Sequence, residues 1–258
     1  GDVYKRQDFA WLSAGEIVEG IKKKKFSATE VTKASISRME ILDKELHTYC
    51  TPTPELALKA AKELDDKISN NKDPGPLAGV PVGIKDLVCS KGIKTVSGSY
   101  FYKDFVPEED DVSVERLINA GAIVLGKTNV PEFGYSGVGH NPVFETTRNP
   151  WNTDLTPGGS SAGSCASVIT GVSPFAIASD GGGSIRIPSS LSGTYGMKAS
   201  MGRVPLYPGC RDERYPGVSS WESIEHIGPV SNNFKVCALL LSVISGANIS
   251  PAHPQIES

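Results

Sequence analysis

Two stretches near the start of the chain open on the same signature, Ser13-x-x-Glu16 and Ser27-x-x-Glu30. A serine that accepts from the third helical amide, with a glutamate returning to the serine's own amide, satisfies donors that a helix start leaves open. Behind the second box, Val31, Ala34, Met39, Ile41, Leu42 and Leu46 fall on one arc, which predicts an amphipathic helix with its other face wet. Pro54 opens a third predicted helix with Leu56, Ala60, Leu64 and Ile68 inward, ending in the turn-rich segment from Asn70 to Pro76. From Leu77 the texture changes to short apolar runs punctuated by Gly and Pro. Val80 to Ile84 reads as a strand whose proline favours an edge or a strand start. Val112 to Ala120 reads as a helix, and Ala122 to Leu125 as a fully buried strand. Ala162 to Thr170 is a small-residue helix stopped by Gly171, and Phe175 to Ala178 is another buried strand. Helices alternating with continuous apolar strands predict an α/β fold with a mixed, largely parallel sheet covered by helices on both faces. No internal repeat and no linker dividing two domains is visible.

Composition narrows the class. With 258 residues, 39% hydrophobic and 21% charged, the chain is neither a disordered tail nor a small disulfide scaffold. A net charge of −3 gives no basic field for nucleic acid or an anionic membrane. The longest apolar run, Val236 to Ile244, is far shorter than the ~18–20 residues of a spanning helix and reads as a buried helix. Five cysteines (Cys50, Cys89, Cys165, Cys210 and Cys237) are scattered with no Cys-x-x-Cys spacing, which argues for a reducing, cytoplasmic setting and against a zinc knuckle. The Lys22 to Lys25 run reads as the solvated last turn of the first helix rather than an anion patch. Residues 1–7 (GDVYKRQ) have neither a signal peptide's apolar core nor a helical period and are expected to be a non-native linker. The segment from Gly246 to Ser258 trails off without a capping element, as expected of a fragment.

Three patterns carry candidate chemistry. Gly121 to Thr128 satisfies G-x-x-x-x-G-K-T, but a helix precedes it and its middle residues are strand-like, the reverse of a phosphate loop. Lys127 is therefore expected to close a strand. Gly159-Ser160-Ser161-Ala162-Gly163 fits a nucleophile elbow, with Asp212 and His226 or His253 available downstream, as in a Ser-His-Asp esterase of the α/β-hydrolase type. Upstream of it, Asn149 to Pro157 is loop chemistry where an elbow needs a strand. The third pattern is a pair of glycine-rich, serine-bearing loops, Pro157 to Ser164 and Ser179 to Pro188. The second follows a buried strand directly, so the amides of Gly181, Gly182 and Gly183 could converge beside the Ser184 hydroxyl as an oxyanion hole. Such a serine needs a base, and Lys85 ends the strand that begins at Val80.

Taken together, Gly79 to Asp86, Gly126 to Phe133, Asn149-Pro-Trp151, the two glycine/serine loops and Tyr195 to Lys198 resemble the amidase signature family, over roughly Ser13 to Val230. The resemblance implies that Ser184 is the nucleophile, Ser160 a bridging serine behind a cis Gly159–Ser160 bond, and Lys85 the base. It also implies that Gly134 and Tyr135 line the acyl pocket, that Ser161 hydrogen-bonds within the network, and that Asp180 and Arg186 brace the nucleophile loop as an ion pair. No metal and no organic cofactor is implied. An ordinary lysine is neutral in only roughly one molecule in two thousand at pH 7, so Lys85 needs burial to lower its pKa. The family's catalytic domain is longer than 258 residues, so residues 8–258 are expected to be the N-terminal and central part of a single domain.

Within the family, the A subunit of the glutamine-dependent tRNA amidotransferases tends to read Asp-Thr-Gly-Gly-Ser-Ile-Arg-Gln, with an Asp before Glu-Phe. This chain has Gly181, Ile187 and Pro131 at those positions, and Gly196-Met-Lys-Ala199 where members often read Gly-Leu-Lys-Pro. The expectation is a free-standing amidase, able to form a homo-oligomer, acting on a small-molecule amide without nucleic acid or membrane. The amidotransferase subunit is the alternative.

Overall fold

A computed structural model describes residues 9–208 and 224–248. Cys210, Asp212, His253 and residues 1–7 lie outside the described residues; Cys50, Cys89, Cys165 and Cys237 form no disulfide among the described residues. Helices α1 (Ala14–Lys22) and α2 (Ala28–Leu46) each carry the complete capping box, and α3 (Pro54–Ser69) begins on its proline. Asp65 of α3 accepts from the Ala28 and Thr29 amides at 2.8 and 3.0 Å, so one helix caps the start of the other.

The apolar faces differ from expectation at two positions. Ile41 is 65% exposed and Leu56 is 51% exposed. The buried stripe of α2 runs through Val31, Ser35 and Met39, and Ile41 is turned about 200° from Met39. The buried face of α3 is Ala57, Ala61 and Leu64, about 100° around the helix from Leu56. Small alanines let α3 lie close to its neighbours.

The strands are β1 (Tyr49–Pro52), β2 (Pro81–Lys85), β3 (Ile123–Thr128), β4 (Phe175–Ser179), β5 (Tyr195–Gly196) and β6 (Ile227–Ser231). They form one mixed sheet in the order β1-β3-β2-β4-β6-β5. The central trio β3, β2 and β4 is parallel, while β1, β6 and β5 pair antiparallel. Pro81 starts a central strand, not an edge, and a strand's first position tolerates its missing N–H.

Alternation along β4 splits the core in two. Phe175 and Ile177 join the large cluster with α1, α2, α3 and α7 (Phe234–Ile244). Ala176 and Ala178 face Cys165 and Val168 of α5 (Ala162–Ile169). Both faces of the sheet are therefore covered. After β2 the chain returns through α4 (Val112–Asn119) to β3 on one side, and it then crosses through α5 to β4 on the other. The switch in direction falls between β2 and β4, and in open α/β sheets the crevice beyond the carboxyl ends at such a point is where ligands bind.

Gly121 to Thr128 forms no phosphate loop. Its second half is β3, and Lys127 is fully buried with its Nζ donating to the Val88 carbonyl and the Ser90 hydroxyl.

Candidate active site

Lys85 is the last residue of β2, is fully buried, and ends at the switch point. Its Nζ donates to Ser160 Oγ at 2.8 Å, to Ser179 Oγ at 2.8 Å and to the Ser179 carbonyl at 3.1 Å. Burial pulls the lysine pKa down to about 8, against the opposing fields of Glu225, Asp180 and Cys165. About one lysine in ten is then neutral at pH 7, a few hundred times the ordinary fraction.

Ser160 follows a cis Gly159–Ser160 peptide bond. A Cβ on Gly159 would lie 2.5 Å from the Val138 carbonyl, so the Gly137–Val138 backbone crosses directly over this bond. Gly134 lies against Ser160 as well: a Cβ there would stand 3.2 Å from Ser160 Oγ, and its φ of +72° suits glycine. The adjacent Tyr135 is 67% exposed.

Ser161 opens α5 from a loop, with no strand running into it. Its Oγ donates to the Ser179 carbonyl at 3.2 Å and accepts from the Ser179 amide at 3.4 Å, which ties α5 to the end of β4. His226, the one histidine of the elbow pattern among the described residues, is engaged elsewhere. Its amide and carbonyl bond Asp180 in both directions, and its Nδ1 lies 3.1 Å from the Asp180 carbonyl. This arrangement supplies no base to Ser161.

The loop that carries Ser184 curls around Asp180. Its carboxylate accepts from the Gly183 amide at 2.7 Å and the Ile185 amide at 3.2 Å. Arg186 grips the same group with its Nε and Nη2, each at 2.9 Å. Burial pushes the Asp180 pKa up, but the Arg186 fork and the loop amides prevail and hold it at about 2. One expectation changes here. The Gly183 N–H is taken by Asp180 because the carboxylate must be satisfied once it is buried, so this amide does not serve an oxyanion. The amides of Gly181, Gly182 and Ser184 make no hydrogen bond to another described residue. Ser184 sits beside the bridging loop through its carbonyl, which accepts from the Ser161 amide at 3.2 Å.

Two residues of the site escaped the sequence reading. Ser179 holds Lys85 through two oxygens, and the only signal for it is its place at the end of β4. Glu225 precedes His226, which pairs with Asp180 beyond the end of β4, and its field reaches Lys85. Among the described residues no cluster of three or more His, Cys, Asp or Glu could hold a metal. No helix among them is long and apolar enough to cross a membrane.

The sequence profile of the Amidase family matches residues 30–255. The chain belongs to this family. It is 45% identical over 236 residues to the A subunit of the glutamyl-tRNA(Gln) amidotransferase of Carboxydothermus hydrogenoformans, covering 92% of this chain and 47% of that protein. It is 40% identical to the protein of the same name from Nostoc punctiforme, over 91% of this chain and 46% of the relative. The chain thus spans about half the length of the curated relatives it matches. Among solved structures, a bacterial aryl acylamidase of the amidase signature family superposes with a TM-score of 0.84 at 34% identity, over 92% of this chain and 48% of that one. The peptide amidase of Stenotrophomonas maltophilia gives 0.85 at 29% identity, over 93% and 49%. The glycine/serine loops of this amidase-family chain are thus carried on the fold those enzymes share.

Proposed function

We propose that this chain carries the reacting groups of an amide hydrolase, with Ser184 as nucleophile, Ser160 as proton bridge and Lys85 as base. The observation that carries the reading is the contact between a fully buried lysine and the Ser160 hydroxyl at 2.8 Å. A buried lysine with no carboxylate among its hydrogen-bond partners and a lowered pKa is poised to accept a proton. Residues 8–258 read as the N-terminal and central part of one such domain.

In this mechanism the Ser184 proton passes to Ser160 Oγ as the Ser160 proton passes to Lys85 Nζ. The Ser184 oxygen bonds to the carboxamide carbon, and the amides of Gly181, Gly182 and Ser184 face the developing oxyanion. The C–N bond breaks as the relay returns the proton to the leaving ammonia or amine. Water, deprotonated along the same path, then releases the acyl group as a carboxylate. The Asp180–Arg186 pair and Ser161 hold the two loops in register and touch no reacting atom.

A second reading follows from the relatives, because a protein named as an amidotransferase A subunit reaches 45% identity with this chain. In that case the same residues would release ammonia from glutamine within a multi-subunit assembly.

The test is ammonia release by the natural polypeptide that contains this chain, across a panel of carboxamides including glutamine, with and without added partner subunits. A fluorophosphonate probe run beside it is expected to add its mass to the peptide bearing Ser184. Mass on the peptide bearing Ser161 instead would sink the assignment. Turnover confined to glutamine and dependent on partners would select the second reading.

Ser179→Ala tests the support of the base. It removes one acceptor from an ammonium that has three, and hydrogen bonds to charged groups contribute about 1.5–3 kcal/mol. The ammonium form loses support, so the rising limb of kcat/KM is expected to move to lower pH, with the far-ultraviolet circular dichroism unchanged. An unaltered pH profile would remove Ser179 from the site.

A further inference from the structure

The loops around Ser184 carry a wall that the relay does not use. Ile187 is the second residue of α6 (Arg186–Ser192), and its amide bonds the Gly183 carbonyl at 2.7 Å. Its Cδ1 lies 2.9 Å from where a Gly183 Cβ would stand and 3.9 Å from where one on Gly137 would. The Gly137–Val138 backbone in turn crosses Gly159, next to Ser160. One isoleucine therefore bridges the loop that carries the nucleophile and the segment that covers the bridging serine. It does so while still 40% exposed, and Val138, next in the chain to Gly137, is 41% exposed.

The charges in the same place offset one another: Arg186 is engaged by Asp180, and Glu225, which forms no ion pair among the described residues, extends its field to Lys85. Substrate pockets are lined mainly by apolar side chains with a few placed polar groups, and exposed apolar residues beside a nucleophile fit that pattern.

We propose that Ile187 is a specificity-determining residue, forming with Val138 an apolar subsite that receives an uncharged alkyl or aryl group attached to the scissile carbonyl. The inference rests on the hydrolase reading above and adds a substrate class to it: neutral apolar carboxamides, with those bearing a carboxylate disfavoured because Ile187 and Val138 offer a charge no hydrogen-bond partner. A methylene in an apolar pocket discriminates by about tenfold or more.

The experiment measures kcat/KM of the natural polypeptide for acetamide, butanamide, hexanamide and the mono-amide of adipic acid, in wild type, I187V, I187A and I187Q. In wild type, kcat/KM is expected to rise by about tenfold or more from acetamide to hexanamide, with the charged adipic mono-amide well below hexanamide. I187A and I187Q are expected to remove most of that rise, bringing the hexanamide-to-acetamide ratio of kcat/KM close to one, and I187V to fall between. Calorimetric binding of alkylboronic acids from two to six carbons gives the same chain-length profile without requiring turnover. A parallel loss for every substrate in the variants would mark Ile187 as a packing residue and overturn the proposal, as would a flat chain-length profile in wild type. Preference for the charged mono-amide over hexanamide would overturn it too. Ser184→Ala separates the two layers of argument. If it stays active, the hydrolase reading falls; if it is dead while the Ile187 profile is flat, only the subsite falls.

Discussion

Lys85→Met is expected to lower kcat by roughly three or more orders of magnitude, while leaving the fold intact by circular dichroism and thermal melting. The methionine matches the lysine stem in length and fills the same buried space, so what is lost is the proton acceptor and not the packing. Ser184→Ala should be equally silent and should lose fluorophosphonate labelling as well. The pH profile of wild type carries the sign. As the proposed base, Lys85 would work in its neutral form, so with a pKa of about 8 in the fold kcat/KM is expected to rise with pH up to that value and level above it. An ordinary lysine would still be gaining about two pH units higher. The three groups whose fields oppose the effect of burial are Glu225, Asp180 and Cys165. Removing the charge of Glu225 by Glu225→Gln should therefore move the rising limb to lower pH. A rate in Lys85→Met within about tenfold of wild type would refute the relay outright.

Gly163→Ala is expected to be severely damaging, costing about 3 kcal/mol or more and yielding insoluble or partly unfolded protein. Gly163 lies in the first turn of α5, where an added Cβ would stand 2.2 Å from the Thr48 carbonyl and 2.4 Å from the Asn129 amide. Both obstacles are backbone, so neither can rotate aside. The Gly163 amide also bonds the Asn129 carbonyl at 3.0 Å, which shows how closely the helix approaches. Relief of the clash would push α5 outward and carry Ser160 and Ser161 away from Lys85, so activity should fall with stability. The control is Gly15→Ala in α1, where an added Cβ meets nothing nearer than 4.0 Å. That change should stabilise by up to about 1 kcal/mol, since alanine is the better helix former. Equilibrium denaturation of the two variants checks both signs, and equal midpoints would refute the packing argument.

Much of this protein is legible in short-range pattern. The two capping boxes, the proline start of α3, the buried strands β3 and β4 and the small-residue helix α5 are all set by chemistry that a few adjacent residues contain. The strand character of Gly121 to Thr128 was readable for the same reason. The family resemblance, carried by residues spread over most of the chain, singles out Lys85, Ser160 and Ser184, of which the fold brings Lys85 and Ser160 into contact.

Local pattern could not tell two lysines apart. Lys85 and Lys127 both lie at or near the ends of apolar strands, and both are fully buried. Lys127 meets a carbonyl and one hydroxyl, with Asp86 raising its pKa against burial. Lys85 emerges at the switch point between β2 and β4 and meets the hydroxyls of Ser160 and Ser179, from segments 75 and 94 residues away. The same separation hid Ser179 and Glu225, and it hid the claim of Asp180 on the Gly183 amide. Which residues can do chemistry, and which elements hold them, is written in the order of the amino acids. Which lysine faces a hydroxyl, and which amides remain free, depends on the assembled sheet, because desolvation and hydrogen bonding between distant segments exist only once it has formed.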